Sequence, residues 1–213
     1  MRRNRRRRRR KTVLFTYGIE EESKKMRIIK EITIWAVEIL LVIFLAYLVV
    51  AYGIEKTTVV GGSMEPILSN NDKILINKLL YRFTSPKRFD IIVFKPEGKE
   101  HSYYTIKRVV GLPGEKVQIK DGSVYINGEK LEEKVEVSSI VNEGLADELV
   151  TLDEDEYFVL GDNRNNSEDS RFANVGNVTK EEIVGKAWIR LHPFEIVNWV
   201  TKGKNTDVKK ETE

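Results

Sequence analysis

A mainly β domain behind a single transmembrane helix is the architecture this sequence predicts, and three observations predict it. Residues 32–53, ITIWAVEILLVIFLAYLVVAYG, run for 22 positions with Glu38 as their one charge. After them the apolar residues fall into short runs rich in β-branched and aromatic side chains, the pattern of strands. The dipeptides Asp121-Gly122 and Asn127-Gly128 bracket one of these runs as hairpin turns do.

The apolar run comes first. At about 1.5 Å per residue, roughly 20 residues cross a hydrocarbon core of about 30 Å. Trp35 stands near one end, and Tyr47 and Tyr52 toward the other, where aromatic residues sit at membrane interfaces. A buried core helix would be shorter and would carry a polar stripe. Glu38 lies about two turns from the N-terminal end, close enough to reach an interface, so it shifts the register of the span rather than its identity. A cleaved leader has an apolar stretch of about 7–15 residues and a small-residue cleavage site. This run is longer, follows a 31-residue tail and leads into Ile54-Glu55-Lys56, so it is expected to stay attached as an anchor.

Charge orients the anchor. Residues 1–31 hold 13 Lys/Arg against 4 Glu, whereas the remainder holds 23 basic and 29 acidic residues. The positive-inside rule places the tail in the cytoplasm and everything from about Glu55 outside. The part beyond the anchor is mildly acidic, which argues against a nucleic-acid partner despite the overall charge of +3. The arginine run over residues 5–10 is read as a disordered topology determinant, in preference to a nucleic-acid arm or a patch for anionic lipid. With no cysteine, disulfides, a thiol nucleophile and thiolate metal sites are excluded, and two histidines, His101 and His192, leave little for a metal cluster.

The division that results is a basic cytoplasmic tail (1–31), the anchor (32–53), an extracytoplasmic β-rich domain (55–200) and a polar, disordered tail (201–213). Strands are expected over 72–78, 90–94, 103–110, 117–119, 123–126, 157–160 and 187–190, with one helical turn over 180–183. The acidic segment 132–156 reads as a surface excursion. Residues 191–200 are apolar for so late a segment; they read first as an edge of the β domain and, more sharply, as a contact with the membrane surface.

Taken alone, Ser63 reads as a serine in a Gly-Pro loop and Lys107 as an exposed strand lysine; the motifs that hold them are what make them candidates for chemistry. Ser63 follows Gly61 and Gly62 and precedes Pro66, a composition suited to a tight, exposed turn. Its hydroxyl is a poor nucleophile without a base. Lys107, on the strand expected over 103–110, would serve if burial brought its pKa down from about 10.4. Alternation places Thr105, Lys107 and Val109 on one face of that strand and Ile106, Arg108 and Val110 on the other. A calcium loop in the polar stretch 161–171 is excluded because Arg164 occupies the position that needs an oxygen donor.

Three blocks in order, Gly62-Ser63-Met64-Glu65-Pro66, Thr105-Ile106-Lys107-Arg108-Val109-Val110-Gly111 and Gly161-Asp162-Asn163-Arg164-Asn165-Asn166-Ser167-Glu168-Asp169-Ser170-Arg171, resemble those of bacterial type I signal peptidase of the Gram-positive type. The resemblance runs from about Trp35 to Trp199. It implies an antiparallel β-sheet catalytic domain that removes signal peptides from secreted preproteins without a metal or cofactor. Ser63 would be the nucleophile and Lys107 the general base. Ser167 would hydrogen-bond and orient the Lys107 amine, while Asp169 and Arg171 would pair to shape the site; Asp162 and Arg164 would be structural. The substrate would carry small residues at P1 and P3 in an Ala-x-Ala pattern, against Val59, Met64, Leu68, Ile74 and Ile106. Neither histidine matches a catalytic motif of the Ser-His relatives.

Gly61 stands where some members carry a hydroxyl that helps hold the oxyanion, so the Ser63 N–H would be the first donor. Ile67, Phe89 and Ala173-Asn174 depart from the pattern without removing a reacting group. The rival readings are a catalytically idle, membrane-tethered signal-peptide-binding homologue, a self-cleaving Ser/Lys protease of the repressor type, and a polyanion-binding anchor.

Overall fold

No proline interrupts the first 53 residues, and the apolar run within them lets one helix form without a break. A computed structural model of the chain describes residues 2–96, 104–133, 135 and 137–197, with side chains from Lys24 onward. His101, Tyr103 at the start of an expected strand, residues 198–200 and the tail 201–213 lie outside the described residues.

The chain divides into two compact units, residues 1–51 and 52–213. The first is helix α1 (Arg2–Gly53). Its portion Lys24–Gly53 is long and apolar enough to cross a membrane, and its apolar side chains, from Ile32 through Leu40 and Phe44 to Val50, are exposed. An apolar, unburied surface of this kind is what hydrocarbon, not water, accommodates. The arginine-rich tail, expected to be disordered, is instead a continuation of this helix. Arg and Lys are good helix formers, and adding turns to an existing helix avoids the cost of nucleation.

The second unit is the mainly β domain. Its strands are β1 (Ile54–Thr58), β2 (Lys73–Asn77), β3 (Ile91–Phe94), β4 (Thr105–Gly111), β5 (Lys116–Lys120), β6 (Ser123–Ile126), β7 (Glu129–Lys130), β8 (Val150–Thr151), β9 (Glu156–Leu160), β10 (Val178–Thr179), β11 (Ile183–Leu191) and β12 (Phe194–Ile196). A short helix, α2 (Leu80–Phe83), lies between β2 and β3. Among the described residues the strands form a large sheet in the order β1-β2-β11-β3-β4-β9-β10, with β12 paired to β11, and a small one in the order β7-β6-β5-β8. Every pairing is antiparallel.

Local chemistry accounts for these elements. Asp121 and Gly122 have φ of 48° and 69°, and Asn127 and Gly128 have 52° and 87°, the doubly positive pattern of two-residue hairpin turns on either side of β6. Asn77 Oδ1 accepts from the N–H groups of Leu79 and Leu80 at 3.1 and 3.0 Å and so closes the turn that leads into α2, whose N-cap position, Leu79, has no side-chain cap. The helical turn expected over 180–183 is a turn that ends where β11 begins. The Glu182 carboxylate folds back onto Thr179, accepting from its N–H at 2.7 Å and its hydroxyl at 3.1 Å, and the Glu182 and Ile183 N–H groups donate to the Thr179 and Lys180 carbonyls at 3.2 and 3.3 Å, so a single capped turn forms before the chain enters β11. The segment 132–156 is more than an excursion, since Ile140, Ala146 and Leu152 are buried in the core cluster built on β5, β6 and Phe158.

β4 occupies the interior of the large sheet, between β3 and β9, and every residue from Ile106 to Gly111 is buried. Its two faces feed different cores. Ile106 joins Ile91, Val93, Ile74 and Ile76, whereas Val109 joins Ile92 and Phe94, which is the alternation expected of the strand.

Candidate active site

Two glycines and a proline shape the turn that carries Ser63. Gly61 has φ of 84°, a left-handed conformation that a residue with Cβ adopts only under strain. Its N–H donates to Asn70 Oδ1 at 2.9 Å, and the Leu68 N–H donates to the Met64 carbonyl at 2.9 Å, so the loop closes on itself at both ends. Ser63 sits half-buried between these closures.

Lys107 reaches this turn from β4. Its Nζ lies 2.7 Å from Ser63 Oγ, the ammonium donating to the hydroxyl. Only 4% of the lysine is exposed. Burial pushes its pKa down to about 8, more than the carboxylates of Asp169 and Glu168 push it up, with Arg171 adding to the downward shift. When Nζ loses its proton the bond reverses: the hydroxyl donates to a lone pair on the amine. In that state the amine can deprotonate the hydroxyl as it attacks a carbonyl.

Residues 161–171 hold the turn and the lysine in register. Beyond the end of β9, the Asn163 N–H donates to the Ser63 carbonyl at 3.0 Å and Asn163 Nδ2 donates to the Gly62 carbonyl at 3.1 Å. A Cβ added to Gly161 would lie 2.5 Å from the Ser63 carbonyl oxygen and 2.2 Å from Ser167 Oγ, so only glycine permits this approach. Asn163 and Gly161 escaped the reading of the sequence as individual contributors, because a close backbone approach leaves no trace in residue type beyond the glycine.

Three buried arginines frame the loop. Arg171 donates from Nε and Nη2 to Asp169 at 2.8 and 2.9 Å and from Nη2 to the Arg164 carbonyl at 2.6 Å. The Gly161 N–H donates to the same Asp169 carboxylate, at Oδ2, at 3.0 Å. Arg108 makes a two-pronged pair with Asp162 at 2.6 and 2.7 Å, and Arg164 pairs with Glu133. Such forked, charge-assisted bonds restrain orientation as well as position.

The expected bond between Ser167 and the Lys107 amine is not formed in this structure. Ser167 Oγ is buried without a hydrogen-bond partner, and Nζ is committed to Ser63. Val59, Met64, Leu68, Ile74 and Ile106 do come together, in one apolar cluster with Ile67, Ile91 and Val93, and each of the five is at most 6% exposed. Val135 and Tyr104, which the sequence did not single out, pack against that cluster. A surface cavity of about 820 Å³ near Ser123, Leu131, Glu133 and Arg164 contains neither Ser63 nor Lys107. The chemistry is located by hydrogen bonding and burial, not by cavity size. Among the described residues, no group of three or more His, Asp or Glu side chains is placed to hold a metal ion.

Comparison with known proteins identifies the family of the chain. The profile of a family described as "Signal peptidase, peptidase S26" matches residues 32–192. "Probable signal peptidase I-2" of Synechocystis sp. is 38% identical over 151 residues, covering 69% of this chain and 67% of that protein. "Signal peptidase I S" of Bacillus subtilis is 34% identical over 183 residues, covering 82% and 95%. A solved signal peptidase I from Enterococcus faecalis is 33% identical, covering 48% of this chain and 97% of that one, with a TM-score of 0.37.

Proposed function

The chain belongs to the signal peptidase family, peptidase S26, and has its serine peptidase activity; from that premise we propose that Ser63 and Lys107 are its nucleophile and general base. The observation that carries the proposal is the 2.7 Å contact between Ser63 Oγ and a lysine whose pKa burial has brought down to about 8. The neutral amine takes the Ser63 proton as Oγ attacks the scissile carbonyl, and the resulting ammonium returns it to the leaving amine. The acyl-enzyme on Ser63 is then hydrolysed by a water that the same amine activates. The Ser63 N–H is the first donor to the oxyanion, since Gly61 carries no side-chain hydroxyl. Ser167 Oγ, buried and unpaired, is available to orient the amine once Ser63 is acylated.

The substrates are preproteins carrying signal peptides, cut after an Ala-x-Ala pattern. Val59, Met64, Leu68, Ile74 and Ile106 form the apolar surface against which the small P1 and P3 residues seat. The extended peptide adds a strand beside this surface. The apolar part of α1 anchors the enzyme in the bilayer that also holds the substrate, with the tail in the cytoplasm and the β domain outside. Exposed Phe194, Ile196 and Trp188 support a contact of the β11–β12 edge with that bilayer. The idle-homologue reading gains nothing from the site, where both reacting groups are present and in contact.

The test uses the full chain in detergent with a preprotein carrying an Ala-x-Ala site, beside Ser63→Ala and Lys107→Ala, with products mapped by mass spectrometry. Cleavage after that site by the parent alone is expected. Equal cleavage by all three proteins would refute the assignment.

A further inference from the structure

Strand β11 carries an irregularity opposite β2. Ala187 pairs with Ile76, but Ile189 pairs with Leu75, leaving Trp188 as an extra residue. Strict alternation from Ala187 would send Ile189 to the face occupied by Ile76 and Ile74, and Arg190 to the opposite face. The bulge reverses that assignment: Arg190 stands across from Ile74, which is fully buried in the apolar cluster containing Met64 and Leu68. Bulges next to active sites re-aim side chains in this way.

The side chain so delivered is 11% exposed. Its Nη1 donates to the Ile67 carbonyl at 3.0 Å and to Asp72 Oδ2 at 3.4 Å, its Nη2 pairs with Glu195 on β12, and its Nε has no partner. Asp72 extends the hold. Its Oδ2 accepts from the Ser69 N–H at 2.9 Å, and its carbonyl accepts from the Val59 N–H at 2.8 Å. The Ile67 carbonyl and the Ser69 N–H lie on either side of Leu68, whose own N–H is tied to Met64. One guanidinium and one carboxylate therefore restrain the backbone that presents Val59, Met64 and Leu68. A charge on an apolar face is unfavourable unless it is fully paired, and an aliphatic side chain would fill the same volume at lower cost. What the arginine adds is rigidity of that backbone.

We propose that Arg190, re-aimed by the bulge at Trp188, is the residue that sets P1 selectivity. It clamps the Ile67 carbonyl and Asp72 so that the Val59, Met64 and Leu68 wall cannot widen to admit a side chain larger than alanine. It is a positioning residue and touches no reacting atom. The inference rests on the reading of this chain as a peptidase that cuts after small residues.

The test compares two preproteins that differ only in having Ala or Val at P1, with the full chain in detergent micelles as parent, Arg190→Lys, Arg190→Met and Asp72→Asn. The parent is expected to favour Ala strongly in kcat/KM. Arg190→Met narrows the Ala-to-Val ratio by about tenfold or more, the scale on which a hydrophobic pocket discriminates one or two methyl groups. Arg190→Lys, which keeps a donor, retains more of the ratio, and Asp72→Asn narrows it in the same direction. An unchanged ratio in both Arg190→Met and Asp72→Asn, with both substrates slowed by one factor, overturns the proposal and leaves Arg190 a purely structural role. Should Arg190→Met fail to fold in a thermal melt, the ratio in Asp72→Asn decides. A parent that cleaves neither substrate overturns the peptidase reading itself, whereas one that cleaves both equally leaves that reading standing and overturns the selectivity on which the inference depends.

Discussion

Replacing Lys107 by methionine is expected to abolish activity and, by the physics of its burial, to make the folded domain more stable at neutral pH. The lysine titrates at 10.5 when solvated and at about 8 in the fold, with desolvation as the leading cause. The folded state therefore binds protons less tightly than the unfolded one between those two values. Stability rises with pH wherever the unfolded state holds more protons, so below about pH 8 the buried ammonium is a net cost, and above about 10.5 the cost has vanished. At about 1.4 kcal/mol per tenfold change in proton affinity, the full cost is about 3 kcal/mol. Methionine matches the length of most of the side chain and carries no charge. For a domain of this size each kcal/mol moves Tm by about 2–4 °C, so Lys107→Met is expected to melt up to roughly 10 °C above the parent at pH 7. The gap closes as pH rises from 8 toward 10.5. With Lys107 as the proposed general base, the same titration should govern turnover: about one tenth of the lysine is neutral at pH 7 and about nine tenths at pH 9, so kcat/KM is expected to climb about tenfold between them. Thermal unfolding of both proteins in one detergent at pH 7 and pH 10, beside a pH profile of the parent, measures both effects. A variant less stable than the parent by the same margin at both pH values, or an acid limb centred near 10.5, would refute the reasoning.

Three further outcomes test the contacts around the nucleophile turn. Asp162→Ala leaves Arg108 buried without its partner and should cost about 3–5 kcal/mol in urea unfolding; a loss below about 1 kcal/mol would show that the pair is easily replaced. Gly161→Ala puts a Cβ against the Ser63 carbonyl and Ser167 Oγ, so kcat should fall about a hundredfold through displacement of the nucleophile turn, and wild-type kcat would contradict the close approach. Ser167→Ala removes a buried hydroxyl that has no partner, so Tm should not fall, while kcat drops by about tenfold or more if that hydroxyl orients the amine during turnover. A lower Tm with unchanged kcat would reverse that role.

Hairpin chemistry was legible because it is local. Asp121-Gly122 and Asn127-Gly128 need positive φ whatever surrounds them, and β6 lies between them as expected. Interior strands such as β3 and β4 were legible from runs of apolar, β-branched residues. The short strands β7, β8 and β10, of two residues each, were not, because so few positions set no periodicity and their pairing depends on a neighbouring strand rather than on their own composition. The Asn77 turn that leads into α2 was overlooked, although an Asn side chain that bonds the backbone two residues on is a recognised turn signal. The segment 132–156 misled by its acidity: Ile140, Ala146 and Leu152 are too widely spaced to show a pattern, yet all three enter one core.

By itself the sequence determined the membrane-length helix, the β character of the domain beyond it, the family and the identity of the two groups proposed to react. Each rests on residue type, order or short-range period, which survive without coordinates. Tertiary structure alone decided that Lys107 Nζ lies 2.7 Å from Ser63 Oγ, since those residues meet only when β4 and the nucleophile turn are packed together by the 161–171 loop. It also decided which side chain of β11 faces the apolar wall. A bulge shifts strand parity by one, and only the register between β11 and β2 reveals that Arg190, not Ile189, points inward. Desolvation works in the same way: a lysine's pKa depends on how many atoms exclude water from around it, and that number exists only once distant strands have closed over the side chain.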